Sequence, residues 1–250
     1  MKNGTPLIET DDVGLVARGY RFGNLIAENV GHVLTREELE YWEAHLKEIR
    51  EGLARFANRS AGRSLTEKEM VASWEAYFRY GYGLKVDFSG VKIPKKRSGF
   101  GYLIAVPQGI TMNRVYDVSS NPGHIPSWRY VDDLDKAITV NDRDPNRDGS
   151  YFVWVRGGVE ADEGHRNKSA DMLKTEGVLT VTTLEQLLFR HKFWLDTGTN
   201  VDQKTWTLHG GSRYSVGYVP NSNWSGGKSR VYWNYTHSRS ESLRGREVVS

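Results

Sequence analysis

Thr182-Thr-Leu-Glu-Gln-Leu-Leu-Phe-Arg-His-Lys-Phe-Trp-Leu-Asp-Thr-Gly198, followed by the strand-and-turn sequence from Thr205 to Tyr235, decides the fold class. Thr182 and Glu185 form a capping box: the hydroxyl accepts from the third helical amide, and the carboxylate reaches back to the cap amide. Leu184, Leu187, Leu188, His191 and Trp194 recur at helical spacing and make one inner face, and Gly198 is a natural stop. The pattern then changes. Thr205–Leu208, Ser215–Val219 and Arg230–Tyr235 are rich in β-branched and aromatic residues, and Asn221–Lys228 reads as a hairpin-like connection rich in Asn, Ser and Gly. One strong helix beside several short strands predicts an α+β fold: a small mixed or antiparallel sheet with flanking helices.

Upstream, Thr35–Glu38 is another capping box. It opens a helix over residues 36–58, with an apolar seam at Leu39, Trp42, Leu46, Ile49, Leu53 and Phe56. Thr66–Glu69 caps a second helix whose inner face is Met70, Val71, Trp74, Tyr77 and Phe78. The short polar link between them predicts an N-terminal helical hairpin, with possible self-association through residues 36–80. Lys92–Gly99, basic and interrupted by Pro94, reads as a linker. It divides a helical region, 1–91, from an α+β region, 92–250, unless the two form one continuous domain. Between the linker and Thr182 the expected elements are a buried strand at Gly101–Pro107, a helix from Met112 to Val118 capped by Thr111, and a turn-rich break at Asn121–Pro126. A short helix over Asp132–Val140, a polar turn at Asp142–Gly149 and a strand at Tyr151–Val155 follow.

The chain is 250 residues long with a formal net charge of +3 and no cysteine. Disulfides, thiolate metal sites and Cys nucleophiles are therefore excluded. The N-terminus lacks the apolar core of a secretory signal, and no run approaches the ~18 apolar residues that span a bilayer, so a soluble, cytoplasmic protein is expected. Residues 201–250 hold seven Lys/Arg against three Asp/Glu, a local +4 against −1 in the rest.

No phosphate-binding loop, dinucleotide fingerprint, zinc-protease helix or hydrolase elbow is present, so no reaction is identified and whether the chain is an enzyme stays open. Asp144-Pro-Asn-Arg-Asp-Gly149 opens like a calcium loop. The twelfth position is Val155 rather than Glu, so an Asx-rich turn is the expectation and no metal ligand or cofactor is assigned. Glu160, Asp162, Glu163 and His165 cluster closely enough to serve a metal-dependent hydrolase, the enzymatic alternative. His209, just before Gly210-Gly211, is a further weak catalytic candidate, because glycines let backbone approach a ligand.

The stronger signal is for binding. Trp206, Tyr214, Tyr218, Trp224, Tyr232, Trp233 and Tyr235 interleave with Arg213, Lys228, Arg230, Arg239, Arg244 and Arg246. Aromatic faces stack on bases and arginines pair with phosphate. This mix predicts a non-catalytic binding or interaction protein with an aromatic and basic C-terminal surface for single-stranded nucleic acid or another protein. Arg213, Tyr214, Arg230, Trp233, Arg244 and Arg246 are the candidate ligand contacts. The competing reading makes the aromatics the core of a small sheet rimmed by arginines.

Asp132-Asp-Leu-Asp135, Asn141-Asp-Arg-Asp144, Ser150-Tyr-Phe-Val-Trp-Val-Arg156, Val159-Glu-Ala-Asp162, Gly211-Ser-Arg213, Val219-Pro220 and Leu243-Arg-Gly-Arg-Glu-Val-Val249 form a specific combination. In these stretches residues 93–250 resemble a family of uncharacterised bacterial proteins of about this length. The resemblance implies a natural domain in a bacterial cytoplasm and carries over no functional residue.

Overall fold

The structure, a computed structural model, describes residues 65–250, which form one compact unit from Leu65 to Ser250. The expected helix over 36–58, its apolar seam and the first arm of the hairpin lie outside the described residues. Within them the chain is α+β, as the pattern around Thr182 predicts.

Helix α1 (Glu67–Tyr82) starts at the Thr66 capping box and ends at Gly83, whose φ of 62° supplies the left-handed cap. It buries Trp74, Tyr77, Phe78 and Tyr82. Trp74 Nε1 donates to the Leu103 carbonyl at 2.7 Å, tying the helix to strand β1 (Tyr102–Val106). Hence α1 belongs to the main core with β1, while Ala170, Leu173, Leu208, Val219 and Leu243 form a second, smaller cluster. The expected linker meets the main core too: the Pro94 carbonyl accepts from Trp154 Nε1, and Lys96 lies over the Trp154 ring.

Strand β1 pairs antiparallel with β4 (Tyr151–Val155), and both are almost wholly buried. Between them run α2 (Met112–Ser119), β2 (Ser127–Arg129), α3 (Leu134–Ala137), β3 (Ile138–Asn141) and α4 (Pro145–Asp148). The helix expected over 132–140 stops at Ala137. Ile138-Thr-Val140 is β-branched, and the chain becomes a strand paired with β6 (Ser212–Tyr214). A 3₁₀ turn (Glu163–His165), α5 (Ala170–Thr175) and α6 (Thr183–Thr197) complete the middle of the chain.

The largest sheet has five strands in the order β2-β8-β7-β5-β9, with β5 at Trp206–Leu208, β7 at Val219–Ser225, β8 at Lys228–Asn234 and β9 at Leu243–Gly245. β7 and β8 form a long antiparallel hairpin, while the outer pairs β2–β8 and β5–β9 are parallel. Two expectations change here. Asn221–Ser225 is not part of the connection but strand; the turn is only Gly226-Gly227, both at positive φ, the geometry of a two-residue hairpin that matches strand twist. Ser215–Gly217 is not strand but a turn, closed by Gly217 N–H donating to the Tyr214 carbonyl, with Gly217 at φ 88°.

Helix α6 lies at the centre. Its capping box is formed as the sequence predicts, and every residue from Thr183 to Phe193 is buried, polar ones included. Glu185 accepts from Arg143 Nε and Nη2 and from the Tyr151 hydroxyl. Arg190 donates to the hydroxyls of Ser119 and Ser229. Gln186 reaches Asp202 on the segment leading to β5. The helix thus joins the β1–β4 pair to the five-stranded sheet through polar side chains as well as apolar ones.

Candidate functional site

The Glu160–His165 cluster does not converge as a unit. The Glu160 carboxylate accepts from the amides of Lys204 and Thr205 and from the Thr205 hydroxyl, which fixes the entry to β5. Glu163 is exposed and pairs with Arg244 and Arg166. Only Asp162 and His165 come together, joined by Glu247 from the C-terminal tail; their ligand-type atoms lie within 4.8 Å of one another. This trio already holds its cations. Arg156 forks between Asp162 at 2.5 Å and Glu247 at 2.8 Å, Arg97 pairs with Glu247, and His165 Nε2 lies 3.2 Å from it. Burial raises the Glu247 pKa, but hydrogen bonds from Arg97, Arg156 and His165 outweigh it and hold the carboxyl down at about 2. A divalent ion would have to displace two guanidinium groups. Addition of Mg²⁺, Mn²⁺, Ca²⁺ or Zn²⁺ is therefore expected to leave the thermal midpoint unchanged; a saturable rise, ~2.7 kcal/mol at a hundredfold excess over Kd, would restore the hydrolase reading.

The calcium-like sequence is a capped turn. Asp144 accepts from the Asn146 amide, and Asp148 accepts from the Asp144 amide while pairing with Arg147. His209 is fully buried between the Thr183 and Ser222 hydroxyls at 3.2 and 3.0 Å. Its neighbouring glycines admit backbone, as expected, but the approaching group is the protein itself. A Cβ on Gly210 would lie 2.4 Å from Thr180 Oγ1, and one on Gly211 would lie 2.8 Å from the Thr180 carbonyl.

Three of the seven basic residues after residue 200 are likewise committed within the fold. Arg246 is 0% exposed, stacks on Phe189 at 4.5 Å and pairs with Asp202 at 3.1 Å. Arg244 pairs with Glu163. Arg213 donates to the Gly210 and Ser212 carbonyls of its own loop, and Tyr214 is buried. As placed, Arg246 and Tyr214 cannot touch a ligand, and Arg213 and Arg244 have their partners. Of the six expected contacts, Arg230 and Trp233 remain on a surface.

That surface is a row of rings where β8 meets β2. Trp128, Tyr232, Trp233 and Tyr218 stack in sequence with centroids 5.8, 5.8 and 4.4 Å apart and interplanar angles of 29°, 9° and 15°. Tyr130 stands edge-on to Trp128, Tyr232 and Trp233, and Tyr235 edge-on to Tyr218 and Trp233. Trp233 and Tyr218 are rooted against the main core, so the two readings of these aromatics meet in one structure: the inner rings pack and the outer rings are presented. Trp128 is 38% exposed, and Tyr130 and Tyr235 are each 50% exposed. The Arg230 guanidinium lies 5.8 Å from the Trp128 ring centre, and Lys228 is exposed at the same end of the hairpin. Trp128 and Tyr130 escaped the sequence reading because Ser127–Arg129 is only three residues long and follows Pro126. Their one signal is the alternation Trp128-Arg-Tyr130.

No family model, no curated protein and no solved structure matches the chain. No helix among the described residues is long and apolar enough to cross a membrane.

Proposed function

We propose that the chain is a non-catalytic binding or interaction protein that recognises its ligand through the aromatic face of β2 and β8, with single-stranded nucleic acid as the ligand class. The observation that carries this reading is the stacked row Trp128–Tyr232–Trp233–Tyr218, open to solvent at the Trp128 end and flanked by Arg230. Rings already held by packing lose little freedom on binding, and every base offers a face to stack on. The phosphate contacts fall to Arg230 and Lys228, which are exposed beside the row. Among the described residues Arg230 donates only its Nε–H, to the Ser225 carbonyl, while Arg213, Arg244 and Arg246 are engaged within the fold.

Two phosphates neutralised on a single strand give a slope of log K against log[salt] of about −1.4, shallow for a nucleic-acid binder. Fluorescence anisotropy with labelled single-stranded DNA and RNA at several salt concentrations measures it. Trp128→Ala and Tyr232→Ala each lose ~1–3 kcal/mol of binding. Their unfolding midpoints change little, since both rings lie on the presented side of the row. Absence of binding to either polymer at low salt would remove nucleic acid from the reading and leave the face to a protein partner.

A further inference from the structure

Strand β2 is the outermost strand of the five-stranded sheet, and among the described residues no strand pairs with its other side. Its register settles which backbone groups face out. Ser229 N–H donates to the Pro126 carbonyl and Tyr130 N–H to the Val231 carbonyl, so residues 126, 128 and 130 direct their ladder groups toward β8. In a parallel ladder the intervening residues point the other way. The amides and carbonyls of Ser127 and Arg129 therefore face outward, and among the described residues nothing donates to them or accepts from them. Their side chains are occupied elsewhere: the Ser127 hydroxyl donates to the Ile125 carbonyl, and Arg129 lies over Tyr116 and donates to Asn113 Oδ1.

We infer that this edge pairs with the same edge of a second copy of the chain. Two outward residues two positions apart are self-complementary about a two-fold axis through the residue between them. Antiparallel pairing of β2 with its copy sets Ser127 opposite Arg129 of the other chain, twice, each pair exchanging an N–H···O=C bond in both directions. Trp128 then falls on the axis as the pair without hydrogen bonds, where opposed side chains come closest and aromatic pairs contribute most. A large, part-exposed ring at that position is what the arrangement requires, and Trp128 is that ring. The sheet would continue across the axis, with Trp128 and Tyr232 of each copy on the same face. The ladder holds four hydrogen bonds, so the dimer is a weak, concentration-dependent one. The inference rests on the backbone edge and not on what the aromatic face binds.

Sedimentation of the full chain over a wide concentration range tests it, together with amide hydrogen exchange. The expected result is a reversible monomer–dimer equilibrium in which the Ser127 and Arg129 amides gain protection as concentration rises. Ser127→Pro removes one outward donor that the fold does not use. It should abolish the dimer while leaving the unfolding midpoint as it was. Trp128→Phe keeps an aromatic ring on the axis and should retain the dimer, whereas Trp128→Lys should lose it. A chain that stays monomeric at its highest soluble concentration, or a dimer that persists unchanged in Ser127→Pro, would overturn the inference. So would Ser127 and Arg129 amides that exchange freely at every concentration, which would leave the edge to a strand from another protein.

Discussion

Asp202→Ala should lower the stability of the folded chain by about 3–5 kcal/mol, the cost typical of removing one partner from a buried ion pair. Asp202 lies between α6 and β5 with 2% of its surface exposed, and four side chains converge on it. Thr207 Oγ1 donates to it at 2.6 Å, Ser222 Oγ and Gln186 Nε2 at 2.9 Å, and Arg246 Nη2 at 3.1 Å. Its backbone is at φ 58°, a left-handed conformation that a non-glycine residue keeps only where its surroundings impose it. They do so from both sides: its N–H donates to the Val159 carbonyl, and its carbonyl accepts from the Trp224 amide. Burial favours the neutral acid and raises the Asp202 pKa, with Arg246 and the hydroxyls pulling against that rise. Removing the carboxylate leaves the Arg246 guanidinium in the interior with only the Gly158 and Val159 carbonyls. Urea unfolding reads the loss. The double variant Asp202→Ala, Arg246→Met should be less destabilised than Asp202→Ala alone, because no unpaired charge is left behind. A loss under ~1 kcal/mol would mean that solvent reaches Arg246.

The same site shows where sequence reading stops. The Thr182 helix was legible because a capping box is local: the two residues that form it lie three apart, and the structure makes both bonds. Trp74, Tyr77 and Phe78 were legible because helical spacing and apolar chemistry agree. Asp202-Gln-Lys204 is a short polar stretch, and nothing local says that its first residue is enclosed by partners as far away as Arg246. The same holds for Glu185, Gln186 and Arg190, which chemistry assigns to a solvent face and long-range pairing draws inside. Arg244 and Arg246 look alike in sequence. On the edge strand and the tail that follows it, one meets Glu163 and the other Asp202, so a count of charges overstated the basic surface. Strands β2 and β9, three residues each, are too short to show a period, and β2 carries the exposed end of the aromatic row.

Acid should destabilise this fold from about pH 6.5 downward, well before its carboxylates titrate. His191 is buried with Nδ1 2.9 Å from the Tyr77 hydroxyl and Nε2 3.1 Å from His124 Nδ1. Burial first, and then electrostatic interaction with His124, Arg190 and Lys192, pushes its pKa down to about 3. His209 is brought to about 3 by burial and by Arg190 and Arg246. Both imidazoles are therefore neutral in the folded chain at neutral pH. In the unfolded chain they titrate near 6.5. A depressed folded pKa gives stability that is complete above the unfolded value and is lost as pH falls toward the folded one. Below ~6.5 the unfolded state takes up the protons first, and each histidine contributes a slope of up to about 1.4 kcal/mol per pH unit. Asp202, with its raised pKa, acts in the opposite direction, gaining a proton more readily in the fold. Glu247, held at about 2, begins to cost stability as pH falls into the ordinary carboxylate range. The interval between about pH 6.5 and 5 thus belongs mainly to the histidines. Urea unfolding across that interval should show a falling midpoint at constant m. His209→Gln, which can still bond Thr183 and Ser222, should reduce the slope by about half if the two sites contribute equally. A midpoint that stays flat to pH 5 would show that the folded chain accepts these protons, and that His191 and His209 are reached by water.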